Sequence, residues 1–185
     1  MQIRLRAGFT IVELLIVVVV IAILASITVV AYNGVTQKAD NTQTLSLVRE
    51  WKDTLEMYKV QIGEYPKGNL DYVCLGKAAD YPAAGSFDAN QCMKASTWGV
   101  TTDDTMLTAI QEQTGGIPSG NYINVRTLSD GNYRGLLYLS RNNGYGITYV
   151  LNKTADGCLI GDTYFEQSGY LVCRHVLSGD PYAGL

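Results

Sequence analysis

The chain has 185 residues, 47% hydrophobic and 17% charged, with 14 basic and 17 acidic side chains giving a formal net charge of −3. That length suits one anchor plus one modest globular core. The acidic balance offers no general attraction to nucleic acid or anionic lipid, and a single histidine with no C-x-x-C pair excludes zinc-ligand spacing.

Arg4 and Arg6 lead into an apolar run from Phe9 to Ala31 in which Glu13 is the one charge. At helical rise the run extends about 34 Å, long enough to cross a bilayer and long for a secretory h-region. No A-x-A cleavage site follows it. With no basic cluster before Lys38, the positive-inside rule places the start of the chain in the cytoplasm and the remainder outside. Glu13 is out of place in such a segment, because an ionised carboxylate in hydrocarbon costs about 2.5 kcal/mol or more. It either lingers at the headgroups or has a partner.

The hexapeptide Gly8-Phe9-Thr10-Ile11-Val12-Glu13, a short basic leader and the retained apolar run occur together here. This combination resembles the class III signal peptide of type IV prepilins and type II secretion pseudopilins. The resemblance implies cleavage between Gly8 and Phe9 by prepilin peptidase and N-methylation of the new Phe9 amine. It further implies that Glu13 meets the Phe9 amine of a neighbouring subunit and so fixes register in a helical homopolymer. An opposite charge is what makes a buried carboxylate tolerable. Residues 1–8 are then a leader, and 9–32 a transmembrane helix that becomes the filament core. Losing the leader removes two arginines and moves the formal charge from −3 to −5. Many relatives carry Gly and Pro within the run; Ala22 and Val30 stand at those places here, so a more continuous core helix is expected.

Leu45, Val48, Trp51, Leu55, Tyr58 and Ile62 recur at three- and four-residue steps, so 33–62 is expected to continue the helix as an amphipathic half. Charged residues, among them Lys52 and Glu56, lie largely off that stripe. Gly63-Glu64-Tyr65-Pro66 ends the helix, which is expected to run from Thr10 to Ile62. A G-x-Y-P step there is a second point of resemblance. Residues 63–120 form a mixed αβ-loop region. Cys74 and Cys92 bound a Gly/Ala/Asp-rich loop within it, and a short helix over Asp104–Gln113 is capped by Asp103 or Thr102.

Residues 121–185 read as antiparallel strands: Tyr122–Thr127, Gly135–Ser140, Gly146–Leu151, Leu159–Ile160 and Tyr170–Val176. Turn chemistry separates them at Ser129–Asn132, Asn142–Gly144, Ala155–Gly157 and Ser168-Gly169. The fold class is α+β, a long N-terminal helix packed on a C-terminal antiparallel sheet, which the resemblance identifies as the pilin fold. Cys74, Cys92, Cys158 and Cys173 allow three connectivities. Behind an export segment, two disulfides are favoured over four free thiols, and pairing of sequence neighbours is the simplest arrangement. A C-terminal disulfide loop is also familiar in type IV pilins.

No catalytic constellation stands out. His175 lacks a nucleophile elbow or phosphate loop, so a structural role is expected. Asp103, Asp104 and Asp162 lack calcium-loop spacing, Asn152-Lys153-Thr154 is a sequon by pattern alone, and the 13 tyrosines fit sheet propensity. No enzyme activity, metal or cofactor is expected. The leading reading is a type IV pilus subunit, with adhesion, twitching or DNA uptake depending on machinery elsewhere. A type II secretion pseudopilin is the alternative, and a non-polymerising single-pass binding protein the third reading. Implied partners are further copies of the chain, prepilin peptidase, the pilus assembly machinery and, before assembly, the cytoplasmic membrane; nucleic acid is not indicated. The expected location is that membrane first and an extracellular pilus afterwards.

Overall fold

The computed structural model describes residues 9–68, 70–120, 122, 124–154 and 157–183, with backbone alone at 29–31. The chain divides into two units, Met1–Gln37 and Lys38–Leu185. Helix α1 (Ile11–Ile62) begins in the first and ends in the second. It runs unbroken through Ala22 and Val30, since neither residue removes a backbone donor or adds glycine's freedom. Thr10, the expected first residue, stands just before the helix as its cap, so the helix begins one residue later than expected.

In the first unit the apolar side chains from Ile11 to Ile27 are exposed on every face of the helix. Its hydroxyls bond within the helix: Ser26 Oγ donates to the Ile23 carbonyl at 2.7 Å and Thr28 Oγ1 to that of Ala25 at 2.9 Å. A segment bound for lipid needs such internal satisfaction.

In the second unit α1 buries Leu47, Val48, Trp51 and Leu55 in one core. Leu45 and Tyr58 are partly buried against that core, whereas Ile62 is 46% exposed, because the stripe runs out where the helix ends. Five antiparallel strands form the main sheet: β1 (Tyr72–Leu75), β6 (Leu136–Arg141), β7 (Gly144–Asn152), β8 (Thr163–Gln167) and β9 (Tyr170–Gly179), in the order β1-β6-β7-β9-β8. A smaller sheet contains β2 (Gln91–Lys94), β3 (Gly99–Thr101), β4 (Arg126–Leu128) and β5 (Gly131–Tyr133), ordered β3-β2-β5-β4. Alternation along β6, β7 and β9 puts Tyr138, Ile147, Tyr149, Leu171 and Cys173 into the core. Leu137, Thr148 and Arg174 lie on the opposite face, toward Met93 and Tyr133 of the small sheet.

Helix α2 (Asp104–Thr114) is capped by Asp103, whose carboxylate accepts from the Thr105 and Met106 amides at 3.1 Å. It stops at Gly115, whose φ of 77° is the left-handed turn that glycine makes without strain. Ser168 (φ 52°) and Gly169 (φ 83°) close the β8–β9 hairpin, matching the turn expected there.

Several boundaries differ from expectation. β1, β2 and β3 precede residue 121, so the sheet region starts earlier, and the described residues form two sheets. These strands are three or four residues long, too short for alternation to register. Among the described residues of Tyr122–Thr127, Arg126 and Thr127 alone are in a strand, and Gly131-Asn132 belongs to β5, with the turn at Ser129-Asp130. Leu159–Ile160 leads into a turn, and the strand lies at Thr163–Gln167. That strand is an edge with mostly exposed side chains, so it carries no hydrophobic alternation.

Buried polar side chains join distant segments of the second unit. Asn41, fully buried on α1, donates to the Asn152 carbonyl at 2.8 Å and Thr154 Oγ1 at 2.9 Å, and accepts from the Asn152 amide at 2.8 Å. Arg134, 1% exposed, donates to the carbonyls of Gln91, Pro82 and Asp88 and lies 4.4 Å over the Phe87 ring. Each pin satisfies backbone groups that side chains of the wrong shape would leave buried and unpaired.

Candidate functional site

The first turn of α1 gathers the N-terminal chemistry. Phe9 precedes the helix and is 72% exposed; Gly8, the other residue of the expected cleavage site, lies outside the described residues. Glu13 Oε2 accepts from the Thr10 amide at 2.9 Å and the Thr10 hydroxyl at 2.7 Å, and Thr10 Oγ1 in turn accepts from the Glu13 amide at 3.2 Å. This is a capping box, with Thr10 at the N-cap and Glu13 three positions on. Both bonds to the carboxylate fall on Oε2; Oε1 has no partner among the described residues.

The box gives Glu13 a use within a single chain that charge reasoning alone misses. The signal was present as Thr-x-x-Glu ahead of an apolar run. Carboxylates near a helix N-terminus are also favoured by the partial positive charge there. Glu13 is therefore already oriented, with one oxygen open to a further donor.

Beyond the cap, Ile11, Val12, Leu14, Leu15 and Ile16 are each more than half exposed. Burying a side chain of this kind stabilises by about 1.5–3 kcal/mol. The helix consequently carries a large unsatisfied apolar surface around its whole circumference, with one oriented carboxylate at its start. Such a surface can be satisfied by lipid or by other helices of the same kind.

The remaining singled-out residues lie in the second unit. The four cysteines form Cys74–Cys92, joining β1 to β2, and Cys158–Cys173, which ties a loop back to β9. The side chain of Asp162, inside that loop, is fully buried. One of its oxygens meets His175 Nδ1 at 2.5 Å, and the other accepts from the Tyr149 hydroxyl. The Tyr149 oxygen itself accepts from the Leu159 amide at 2.9 Å. This network fastens the disulfide loop to the sheet and occupies both Asp162 oxygens. Burial pushes the Tyr149 hydroxyl above its ordinary range, and the adjacent Asp162 carboxylate pushes the same way. Asp103 serves as the α2 cap. Asn152 is held by Asn41 through its backbone and side-chain amide, so the sequon sits in a packed joint rather than on a free loop.

Comparisons with known proteins agree with the N-terminal arrangement. The prokaryotic N-terminal methylation motif matches residues 3–29. The type II secretion system core protein G of Escherichia coli K12 is 32% identical over 98 residues, 51% of this chain and 68% of that protein. The core protein G of Aeromonas hydrophila is 38% identical over 66 residues, 36% of this chain and 46% of that protein. A fimbrial protein of Neisseria meningitidis is 34% identical over 65 residues, 35% and 38% of the respective chains. The chain thus spans between about two fifths and two thirds of the length of these relatives. No solved structure matches it significantly.

Proposed function

The chain belongs to the family of type IV pilins and type II secretion pseudopilins, and from that premise we propose that it is the structural, non-catalytic subunit of a type IV pilus. Prepilin peptidase cuts between Gly8 and Phe9 and the Phe9 amine is methylated. The subunit waits in the cytoplasmic membrane with its second unit outside, and then polymerises through α1 with the help of the pilus assembly machinery.

The observation that carries this reading is the first turn of an otherwise apolar and exposed helix. Glu13 is held by Thr10 with Oε1 open, and a cut after Gly8 creates a positive amine one turn away. The Phe9 amine of an axially displaced copy would meet that oxygen. Apolar helices slide past one another at little cost, whereas a buried ion pair exists in one register alone. The disulfide-tied loop and the buried pins of the second unit suit display on a filament surface.

The pseudopilin reading is favoured by a specific observation: of the three relatives named above, the one whose length this chain covers by two thirds is a secretion core protein G. Electron microscopy of sheared cells separates the two, long surface filaments supporting the pilus and their absence supporting a pseudopilus. N-terminal sequencing of the membrane and filament fractions tests the shared step. Both should begin at methylated Phe9, and surface protein that still begins at Met1 would overturn either filament reading.

A further inference from the structure

We propose that the cleft at the β1 edge of the main sheet is a saccharide-binding site with Trp98 as its stacking wall. The cleft has a volume of about 600 Å³, within the range of roughly 300–1,000 Å³ usual for small-molecule sites. Trp98 stands at the tip of the β2–β3 hairpin, which is closed by the Ala95 amide donating to the Trp98 carbonyl at 2.8 Å. Its side chain is half exposed, although indole is among the side chains with most to gain from burial. Tyr72 lines the cleft with it, and the same two rings border a neighbouring cleft of about 270 Å³ beside Phe165. Aromatic surface therefore continues along the groove between the two sheets.

Polar groups alternate with these rings. The Arg141 Nε lies 3.4 Å from an Asp71 oxygen, and its guanidinium stands 5.8 Å from the centre of the Tyr72 ring. The fork and the carboxylate are thus held at the mouth, while the Asp71 side chain stays 64% exposed. Lys67 and Asn142 complete the rim. Among the described residues, the Trp98 indole N–H, the Tyr72 hydroxyl, the Lys67 ammonium and the Asn142 amide have no hydrogen-bond partner. Water serves them in the free protein, and a ligand rich in hydroxyls can replace it.

A pyranose fits this alternation. Its C–H faces are apolar and flat enough to lie on indole and phenol, and its ring of hydroxyls both donates and accepts. Those hydroxyls match a carboxylate, an amide and a guanidinium held around the stacking walls. A nucleic-acid strand would need a row of cations to follow its phosphates. Here Arg141 is already paired with Asp71, which leaves Lys67 as the cation on this rim without an acidic partner. The site does not depend on polymerisation.

Tryptophan fluorescence provides the test, because Trp51 is fully buried and acrylamide quenching therefore reports on Trp98. The full chain in a sugar-free zwitterionic detergent is titrated with chitotriose, cellotriose, trigalacturonate and sialyllactose, with a dodecamer of thymidylate alongside. Saturable protection of Trp98 by a neutral or an acidic sugar is expected, and the arm that protects identifies which kind is taken. By isothermal titration calorimetry, Trp98→Ala should weaken that sugar at least about tenfold. Tyr72→Phe, which keeps the ring, should weaken it by about threefold. Circular dichroism confirms that both variants remain folded. Absence of protection by all four sugars, binding unchanged in Trp98→Ala, or protection by the oligonucleotide alone would each overturn the proposal.

Discussion

The two units of this chain solve opposite problems. Among the described residues of the first unit the apolar side chains are outside and the side-chain hydrogen bonds are local, spanning three or four residues. In the second unit apolar side chains such as Leu47, Trp51, Tyr138 and Tyr149 form a core, and polar groups such as Asn41 and Arg134 are buried with partners 43 to 113 positions away. The second unit builds its core and its buried polar joints from its own sequence. The first is satisfied as a helix but not as a surface, so its stability must come from lipid or from other copies. The same chain thus contains one region complete as a monomer and one whose completion is intermolecular.

The largest expected effect breaks the first region alone. Glu13→Ala should abolish filament assembly and leave the second unit's thermal unfolding unchanged. Normal filaments from this variant, counted by electron microscopy after shearing, would remove the register role. The next effect belongs to the second region. Burial raises the hydroxyls of Tyr65, Tyr81, Tyr122, Tyr133, Tyr138, Tyr149 and Tyr182 above their ordinary range. A folded-state value above the unfolded one means that this stability is complete below about pH 10 and is lost as pH rises beyond it. Absorbance at 295 nm should therefore show these tyrosines ionising together with a cooperative loss of near-ultraviolet dichroism; gradual ionisation of a still-folded protein would contradict their burial.

Smaller effects grade the pins. Replacing Cys158 and Cys173 together by Ser opens a loop of 15 residues and should cost about 3 kcal/mol in guanidinium unfolding. Asn41→Ala leaves the Asn152 amide and carbonyl unpaired at the helix–sheet joint and should cost about 2 kcal/mol in the same assay. Smallest is Thr10→Ala, which removes the cap but keeps the carboxylate. It should cost about 1 kcal/mol of helix-start stability, seen as faster amide exchange at residues 11–14 in micelles, with filaments still formed. Loss of filaments in this variant would mean that orientation of Glu13, and not its charge alone, sets the register.

Legibility in the sequence followed the range of the interaction. Helix α1 was readable because its periodicity and its Gly63–Pro66 stop are local, and α2 because Asp103 and Gly115 mark its ends. The Ser168-Gly169 hairpin was readable for the same reason. Strands β1 to β3 were not, since three or four residues cannot display a period, and β8 was hidden because an edge strand needs no apolar alternation. At the candidate site, Phe9 and Glu13 were visible as types at a fixed offset. Thr10 was overlooked as a partner although its spacing from Glu13 spells a capping box.

By itself the sequence determined the apolar helix, its single carboxylate, the soluble continuation and the family, because each depends on residue type and short spacing along one element. Tertiary structure alone decided that three early strands join two sheets, that Asp162 lies between Tyr149 and His175, and that Asn41 grips the end of β7. It also brought Trp98 beside Tyr72 and Arg141 over one cleft. Those groups are distant in the chain. Their meeting is the outcome of burying one shared core while pairing the polar groups enclosed with it; among the described residues the Arg126 Nε is the buried side-chain atom left without a partner.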